Sequence, residues 1–500
     1  MRGIVHQVPK RAVSSFFKPT SSHLSVFQRI LPIMPTATQT RAVQLTSKSY
    51  STTPRINGGR LMDAIHSTCE FGQAHRYGDH CTETGMNRLS LNDDDKKVRL
   101  WLIDQVKAIG CSVTVDQMGN IFAVRPGKTK TDAPPVYMGS HLDTQMTGGR
   151  YDGILGVQAA LEALRTLHDN NVETEGPIGL VNWTNEEGAR FPMVTVSSGV
   201  WAGVVPLETA WNCREITAPA GAQPQSMKEE LQRIGFLGET PASHEATPMA
   251  AHFELHIEQG PILEQEREKI GVVVGAQGYS WYEVTVRGRD SHAGTTPLAA
   301  RRDAVLAAAK MIVASNAIAH ECEGVITTAV VNSAPGTINT IAHTARFTLD
   351  IRHPKAAALA TMVDKCQKAF AKIATEDSAR GVEVVWTCLT ENAPVVFHPD
   401  CVAAIEQAAE EEVGAGTALH TAAVAGEQGQ TDKKLWRPIW SGAGHDSCNA
   451  SKQCPAGMVF TPTRDGMSHT PTEYCSPEDC ILGAQVLLGA VLRFDAARKL

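Results

Sequence analysis

Hydrophobic and polar positions in the first half of the chain follow two alternating periods. Residues 94–110 place apolar side chains at helical spacing behind an acidic start, and residues 113–124 alternate around a Gly-Asn turn like a β-hairpin. Short apolar runs at 135–138 and 178–183 predict buried strands, and residues 154–167 between them predict a helix. This strand–helix–strand alternation predicts a parallel sheet that is covered by helices.

The period changes after about residue 275. The predicted order becomes strand, helix, strand, strand, helix, strand, which is the split βαβ arrangement of an inserted α+β domain. The six segments are residues 281–286, 299–314, 325–331, 345–351, 355–374 and 382–386. Helix–strand alternation then returns, and the chain ends in an amphipathic helix over residues 478–494.

This pattern divides the 500 residues into a larger α/β domain, an insertion and a leader. The two parts of the larger domain are expected at residues 57–274 and 391–500, with the insertion at 275–390 and the leader at 1–56. The first 62 residues hold nine Lys and Arg and no Asp or Glu. That composition is typical of a mitochondrial transit peptide, which predicts a disordered leader and a matrix location. A cytoplasmic protein with a basic leader is the alternative.

Composition and charge exclude several classes of function. A hydrophobic content of 42% with 20% charged residues is that of a soluble globular protein, and no apolar run reaches the roughly 18 residues that cross a bilayer. Without the nine cations of the first 62 residues, the net charge of −7 becomes −16, which argues against a nucleic-acid partner. The 12 Cys form no CxxC pair, which favours reduced thiols.

Polar side chains lie where the predicted strands end. His141 and Asp143 follow the first apolar run, and Asp152 precedes the helix that begins near Ile154. The carboxyl ends of strands are the usual place for chemistry on an open α/β sheet. An imidazole and a short carboxylate that converge there would form half of a metal site.

Two adjacent acids, Glu186 and Glu187, follow the next strand. A pair of acids alone indicates a solvated loop, but the matching strand end favours a site in which one acid binds a metal and the other accepts a proton from water. His256 by itself would be read as a buried structural imidazole. His469 lies on a Gly/Ser/Pro loop, where functional residues are common. Three imidazoles and two carboxylates suit a pair of borderline metals with one bridging carboxylate.

Seven motifs follow one another in the chain: GSHLDTQMTGGRYDGILGV, NWTNEEGARF, HIEQGPILE, RDSHAGTTP, LDIRHP, GAGHDS and MSHTPTE. They resemble, in order, those of the metal-dependent amidohydrolases that act on N-carbamoyl amino acids. This group contains fungal-type β-ureidopropionase, N-carbamoyl-L-amino acid hydrolase and allantoate amidohydrolase, within the zinc aminoacylase/carboxypeptidase superfamily. The resemblance covers roughly residues 57–500 and implies a di-zinc aminopeptidase-like α/β domain, with a mixed sheet and helices on both faces, interrupted by an α+β lid and dimerisation domain.

The resemblance implies a set of metal ligands. His141, Asp152 and His256 would hold one zinc, and Asp152 as a bridging ligand, Glu187 and His469 would hold the other. Mn, Co or Ni are alternatives, because such nitrogen and oxygen ligands accept them too.

It also implies catalytic residues. Glu186 would act as general base toward water and then as general acid toward the leaving amine, while Asp143 would orient His141. His292, on the insertion, would stabilise the oxyanion and would reach it from the partner subunit of a homodimer.

Four further residues are implied as substrate contacts. Gln259 would contact the ureido group, and Asn339 and Arg352 would bind the substrate carboxylate, for which the fork of an arginine is suited. His445 is a further candidate that faces the substrate. An ordinary surface charge is the alternative for Arg352.

The reaction expected from the resemblance is hydrolysis of an N-carbamoyl-β-alanine or N-carbamoyl-L-amino acid to amino acid, CO2 and ammonia. The HLDTQ motif favours these substrates over allantoate, although Met146 departs from the proline usual there. Three alternatives stay open: allantoate amidohydrolase, an aminoacylase or dipeptidase of the same superfamily, and an inactive carboxylate-binding scaffold. A nucleotide site at residues 153–156 is disfavoured, because GILG lacks the GxGxxG spacing.

Overall fold

The computed structural model describes residues 53–128, 133–423 and 434–498. The leader predicted at 1–56 lies outside these ranges apart from its last four residues. The helices are α1 (Gly58–Thr68), α2 (Asp93–Ala108), α3 (Ile154–Asp169), α4 (Val196–Trp201), α5 (Leu207–Trp211), α6 (Met227–Ile234), α7 (Ile262–Gln265), α8 (Ala304–Glu321), α9 (Ala356–Thr375), α10 (Pro399–Val413), α11 (Ala418–Ala423), α12 (Asp446–Ala450) and α13 (Pro477–Ala497).

Strands fall into two large sheets and two small ribbons. They are β1 (Gln73–Arg76), β2 (Thr84–Met86), β3 (Ser112–Val115), β4 (Ile121–Arg125), β5 (Val136–His141), β6 (Ile178–Trp183), β7 (Ala251–Ile257), β8 (Ile270–Ala276), β9 (Gly278–Arg287), β10 (Ser291–His292), β11 (Val325–Thr327), β12 (Val331–Ala334), β13 (Thr340–Ile341), β14 (Thr344–His353), β15 (Glu383–Asn392), β16 (Val395–Val396), β17 (Trp436–Ser441) and β18 (Ala456–Thr461).

The larger sheet runs in the order β16-β8-β18-β7-β5-β6-β4-β3, and β17 also pairs with β8. Its centre, β18-β7-β5-β6, is parallel, while β3, β4 and β16 pair antiparallel to their neighbours. The central strands are buried along their whole length, as expected for parallel strands covered on both faces. The predicted α/β fold with a mixed sheet is therefore confirmed, with its carboxyl strand ends at His141, Trp183 and Ile257.

Two apolar helices pack against this sheet. Helix α3 buries most of its residues against β5, β6 and β7, and α13 packs against α3 and α10. Helix α13 is long and apolar enough to cross a membrane, but 72% of its most apolar window is buried inside the protein. Burial of this kind is what a core helix shows.

The second sheet has the order β11-β14-β9-β15 and is antiparallel, with β12 also pairing with β14. Helices α8 and α9 pack on one of its faces and form a separate hydrophobic core with it. Its order of major elements is the one that the sequence pattern predicts for the insertion.

Two local predictions in this region are wrong, and one short ribbon was not predicted. The helix predicted over 299–314 begins at Ala304, because the carboxylate of Asp303 accepts the Leu306 N–H and caps it there. The strand predicted over 325–331 is two short strands, β11 and β12. The ribbon of β10 and β13 has only two residues in each strand, too few for a periodic pattern.

Candidate metal centre

Two imidazoles at strand ends define the inner part of the site. His141 ends β5, and its Nδ1–H donates to the carbonyl oxygen of Asp143 at 2.9 Å. His256 lies in β7, and its Nδ1–H donates to the carbonyl oxygen of Ile257 at 2.8 Å. Both rings are 1% exposed, and both therefore present the Nε2 lone pair to the interior.

Asp152 lies between these rings and a third imidazole. Its Oδ1 is 3.0 Å from Nε2 of His256 and 3.5 Å from Nε2 of His141. Its Oδ2 is 3.3 Å from Nε2 of His469. Each carboxylate oxygen thus faces a different group of ligands, which is the geometry of a bridging carboxylate.

The outer part of the site is formed by Glu187 and His469. Oε2 of Glu187 is 3.4 Å from Nε2 of His469 and accepts a hydrogen bond from Gln145 Nε2 at 2.8 Å. The side chain of His469 is 49% exposed, whereas that of Glu187 is 5% exposed. The outer group therefore opens toward solvent and the inner group does not.

The donor set fits two metal ions. Two groups, His141/Asp152/His256 and Asp152/Glu187/His469, have ligand atoms within 4.8 Å of one another. Nε2 of His141 is buried and has no hydrogen-bond partner among the described residues. Because Nδ1–H of His141 and His256 is already committed to a carbonyl, each Nε2 lone pair faces carboxylate oxygens, an arrangement that a cation between them stabilises.

Glu186 and Glu187 form a buried turn at the end of β6. Asn185 adopts a left-handed conformation, φ 57°, and its side-chain amide donates to the carbonyl oxygens of Phe191 and Met193. The backbone N–H groups of Glu186 and Glu187 donate to the carboxylate of Asp143 at 3.3 and 3.4 Å. Asp143 therefore contacts His141 through its carbonyl and uses its carboxylate to hold the turn of the two acids.

Electrostatics at this centre are those of clustered buried acids and imidazoles. Burial, together with the carboxylates of Asp446 and Glu187, raises the pKa of Glu186 well above its ordinary value. Burial and Asp152 raise the pKa of Glu187 to about 7. Burial opposes charge on His141, but the carboxylates of Glu186 and Asp152 outweigh it and raise its pKa. A proton-transfer role for Glu186 is consistent with such a shift.

His445 lies against the inner group rather than at the surface. Its ring is 2% exposed and 4.6 Å from that of His256, and its Nε2 is 2.9 Å from the hydroxyl of Ser441. Burial and the neighbouring His256 lower the pKa of His445 to about 3, which keeps the ring neutral. Glu254 and His445 form a third candidate group with His256, but Glu254 already accepts hydrogen bonds from Ser140 and Ser447.

Two of the expected substrate contacts are engaged with protein groups. Gln259 Nε2 donates to Oδ2 of Asp152 at 2.7 Å, next to the ligands rather than away from them. Arg352 forms a bidentate pair with Asp350, while its Nη1 donates to the carbonyl oxygen of Gly442 at 2.6 Å. That contact joins the inserted sheet to the GAGHDS loop.

His292 and Asn339 lie together on the insertion. His292 pairs with Thr340 in the β10–β13 ribbon, and the carbonyl oxygen of Asn339 accepts the Ala293 N–H. Nδ1 of His292 accepts the N–H groups of Gly294 and Thr295. Within the described part of the chain, neither side chain forms a hydrogen bond or ion pair with the metal-ligand groups.

Residues 137–493 match peptidase family M20/M25/M40. This chain belongs to that family. It is 38% identical over 440 residues to an N-carbamoyl-L-amino-acid amidohydrolase of Rhizobium meliloti, a match that covers 88% of this chain and 96% of the relative. It is 29% identical over 431 residues to the allantoate amidohydrolase of Bacillus subtilis, covering 85% and 95% of the two chains.

Solved structures similar to this chain show the same fold. The crystal structure of an amidase of the hydantoinase/carbamoylase family from Burkholderia multivorans aligns with a TM-score of 0.78 at 40% sequence identity. The alignment covers 89% of this chain and 99% of that one.

Sequence reasoning missed several residues that support this candidate site. Gln145 holds Glu187, while Ser468 and Glu473 contact Asp152. All three lie inside the quoted motifs. Gln145 is two residues after Asp143, Ser468 directly precedes His469, and Glu473 is four residues after His469. Their motif positions were a signal, but residue type alone does not reveal which group each side chain faces.

Proposed function

We propose that this chain is a metal-dependent hydrolase that cleaves N-carbamoyl amino acids to amino acid, CO2 and ammonia. The observation that carries the proposal is the convergence of His141, Asp152, Glu187, His256 and His469 beside a buried acid, in a chain 38% identical to an N-carbamoyl-L-amino-acid amidohydrolase. We propose that each subunit binds two Zn²⁺ ions, because zinc is commonly bound by imidazoles and carboxylates.

The chemistry divides between the metals and the chain. When bound, two such ions activate water and polarise the substrate carbonyl. Glu186, whose Oε2 lies 3.5 Å from Nε2 of His141, takes the proton from the attacking water. The carbamoyl carbon gains the water oxygen and its bond to the amino-acid nitrogen breaks. Glu186 then returns the proton to that nitrogen, and the released carbamate decomposes to CO2 and ammonia.

A substrate panel tests the proposal. The purified chain with Zn²⁺ is given N-carbamoyl-β-alanine, N-carbamoyl-L-amino acids of increasing size, allantoate and N-acetyl amino acids, with release of ammonia and of free amino acid as the two readouts. We expect ammonia from the N-carbamoyl compounds. Cleavage of acetyl amino acids without ammonia release from any carbamoyl compound would instead identify an aminoacylase. No turnover with any compound, from a chain that folds without metal, would support a scaffold.

Allantoate hydrolysis is the second candidate function. The similarity to an allantoate amidohydrolase favours it, although that relative is less similar than the N-carbamoyl-L-amino-acid amidohydrolase. N-carbamoyl-β-alanine and N-carbamoyl-α-amino acids differ by one methylene, which is worth only about 1–3 kcal/mol of discrimination. The ratio of kcat/KM values across the panel therefore ranks the three substrate classes directly.

We also propose a homodimer that forms through the insertion. Helix α8 carries an exposed apolar stripe that includes Val305, Leu306 and Val313, with Val313 71% exposed. On the edge of the neighbouring sheet, Val325 and Val331 are 50% and 59% exposed. Exposed apolar patches and free strand edges are typical of surfaces that associate.

The homodimer also explains the position of His292, which we propose completes the site of the partner subunit as a hydrogen-bond donor to the oxyanion. The test mixes two inactive variants, Glu186→Gln and His292→Ala, and allows their subunits to exchange. If His292 acts across the interface, hybrid dimers each contain one complete site, and random mixing restores about a quarter of wild-type activity. No recovery from verified hybrid dimers would place His292 outside the partner's site.

For the leader we propose a mitochondrial matrix address, supported by its basic, acid-free composition. Residues 1–56 fused to a fluorescent protein are expected to direct it to mitochondria. A version with its Lys and Arg replaced by Gln serves as the control. Diffuse cytoplasmic fluorescence from the unaltered fusion would contradict the proposed location.

A further inference from the structure

A carboxylate behind the metal ligands holds the backbone of the bridging ligand. Glu473 is 2% exposed, and its Oε1 accepts the N–H groups of Tyr151 and Asp152, each at 3.0 Å. Its Oε2 lies 2.9 Å from the hydroxyl of Ser468, which directly precedes His469. Glu473 thus contacts both the segment that carries Asp152 and the loop that carries His469.

Ser468 closes a ring of polar contacts, in which its single O–H donates to one of two carboxylates at a time. Its hydroxyl lies 2.9 Å from Oδ2 of Asp152 as well as 2.9 Å from Glu473. The ring therefore runs from the backbone of Asp152 through Glu473 and Ser468 to the carboxylate of Asp152. Its members fix the backbone position of Asp152 and the rotation of the Asp152 carboxylate about the side-chain bonds.

The loop needs such an anchor because its backbone is strained. His469 has φ 57°, and Gln259, which contacts both Asp152 and Ser468, has φ 56°. A left-handed conformation in a residue other than glycine persists only when surrounding contacts impose it. The space behind the ring is also closed, since a Cβ at Gly149 would overlap the side chain of Glu473.

We propose that Glu473 is a positioning residue that sets the geometry of the outer metal pocket, formed by Asp152, Glu187 and His469. It acts by holding Asp152 and the Ser468–His469 loop in a fixed position relative to each other. This inference rests on the proposed di-metal function. The inner pocket depends on it less, because His141 and His256 are held by strands and by their own carbonyl partners.

The hydrogen-bond pattern predicts which substitutions preserve the ring. In Glu473→Gln, the amide oxygen accepts both backbone N–H groups and the amide nitrogen donates to Ser468, whose hydroxyl remains available to Asp152. In Glu473→Ala, two buried N–H groups lose their acceptor and Ser468 loses a partner. Glutamine should therefore replace glutamate, although it removes the charge.

The experiment measures zinc affinity by competition with a chromophoric chelator, and the absorption spectrum of the Co²⁺-substituted protein. We expect Glu473→Ala to weaken the outer ion by about 10- to 100-fold and to alter the Co²⁺ bands. Glu473→Gln should stay within a few-fold of wild type. Ser468→Ala, which keeps the backbone contacts of Glu473, should fall between them and provides a test if Glu473→Ala does not fold.

A matched control separates positioning from general stability. Glu162, on α3, is a fully buried acid that pairs with Arg60 of α1. Glu162→Ala should therefore lower the melting temperature without changing zinc affinity. Equal zinc affinity in wild type, Glu473→Ala and Ser468→Ala would overturn the inference, as would equal losses in Glu473→Gln and Glu473→Ala. Wild-type protein that binds no zinc and releases no ammonia would instead refute the proposed function.

Discussion

Gly153 offers a sharp test of the site geometry, because it separates Asp152 from α3 in a turn that no other residue adopts easily. Its φ and ψ are 67° and −44°, and the Ile154 N–H donates to the carbonyl oxygen of Asp152 at 2.7 Å across it. A Cβ at this position would lie less than 3.0 Å from atoms of the His141 ring. Gly153→Ala therefore strains the turn and displaces His141, a proposed metal ligand, in one step.

The two effects have different magnitudes and can be separated. A non-glycine residue in a sparsely populated backbone region costs about 1–3 kcal/mol of folding stability. To restore ordinary contact, His141 has to move by about 1 Å, and a displacement of that size at a catalytic centre costs about 10²-fold in rate. Gly235→Ala is the matched control, since Gly235 has φ 78° but a Cβ there would meet nothing within 4 Å. It should lose only about 1–2 kcal/mol.

The assays are chemical denaturation, zinc competition and ammonia release from N-carbamoyl-β-alanine or another panel substrate. Both variants are expected to unfold at lower denaturant concentration, but only Gly153→Ala should lose zinc affinity and turnover. If Gly153→Ala has the same zinc affinity and turnover rate as Gly235→Ala, the close approach of His141 to the turn does not matter for metal binding or catalysis. The reasoning about the inner pocket would then be refuted.

Three further predictions concern single groups. Glu186→Gln should keep both metals and lose about 10²- to 10⁴-fold in kcat, because the proton acceptor is gone; near-normal turnover with full metal content would remove Glu186 from its role. Arg352→Ala should raise KM for carboxylate substrates more than for the matching uncharged amides, and equal effects on both would contradict a carboxylate contact. The hydrogen bond with Asp152 raises the pKa of His469 to about 9, so a metal at the outer pocket displaces a proton below that pH. Loss of this proton alone should raise the zinc affinity of the outer pocket about tenfold per unit from pH 7 to 9, and a flat profile from chelator competition would contradict this.

Sequence patterns predict the buried central strands and the residues at their ends better than the features outside them. The ends of buried parallel strands meet at one edge of a sheet, so His141 and Glu187 could be expected to converge from their positions alone, whereas His256 by itself indicated a buried structural imidazole. The structure brings them together with Asp152 and His469. Burial in the central strands leaves little choice of register, which explains why β6 has the predicted limits of 178–183.

Other features depend on contacts that a one-dimensional pattern does not contain. The start of α8 is set by the cap at Asp303, while the apolar periodicity of the alanine-rich segment extends further toward the N-terminus. Gln259 carries an amide suited to a ureido group, yet its left-handed backbone turns that amide onto Asp152. The role of Glu473 becomes visible only when the backbone of residues 151–152 folds against it, more than 300 positions away in the chain.

The proposed function depends most directly on two metal ions, held by the five converging side chains and required for turnover. The decisive measurement strips the chain with a chelator, returns zinc in known equivalents and follows ammonia release from an N-carbamoyl amino acid. Activity is predicted to be absent at the start, to rise with added zinc and to level off at two equivalents per chain, with His256→Ala and His469→Ala each failing to reach that plateau. Full ammonia release from the stripped chain, or a plateau that both variants share with wild type, would contradict the account.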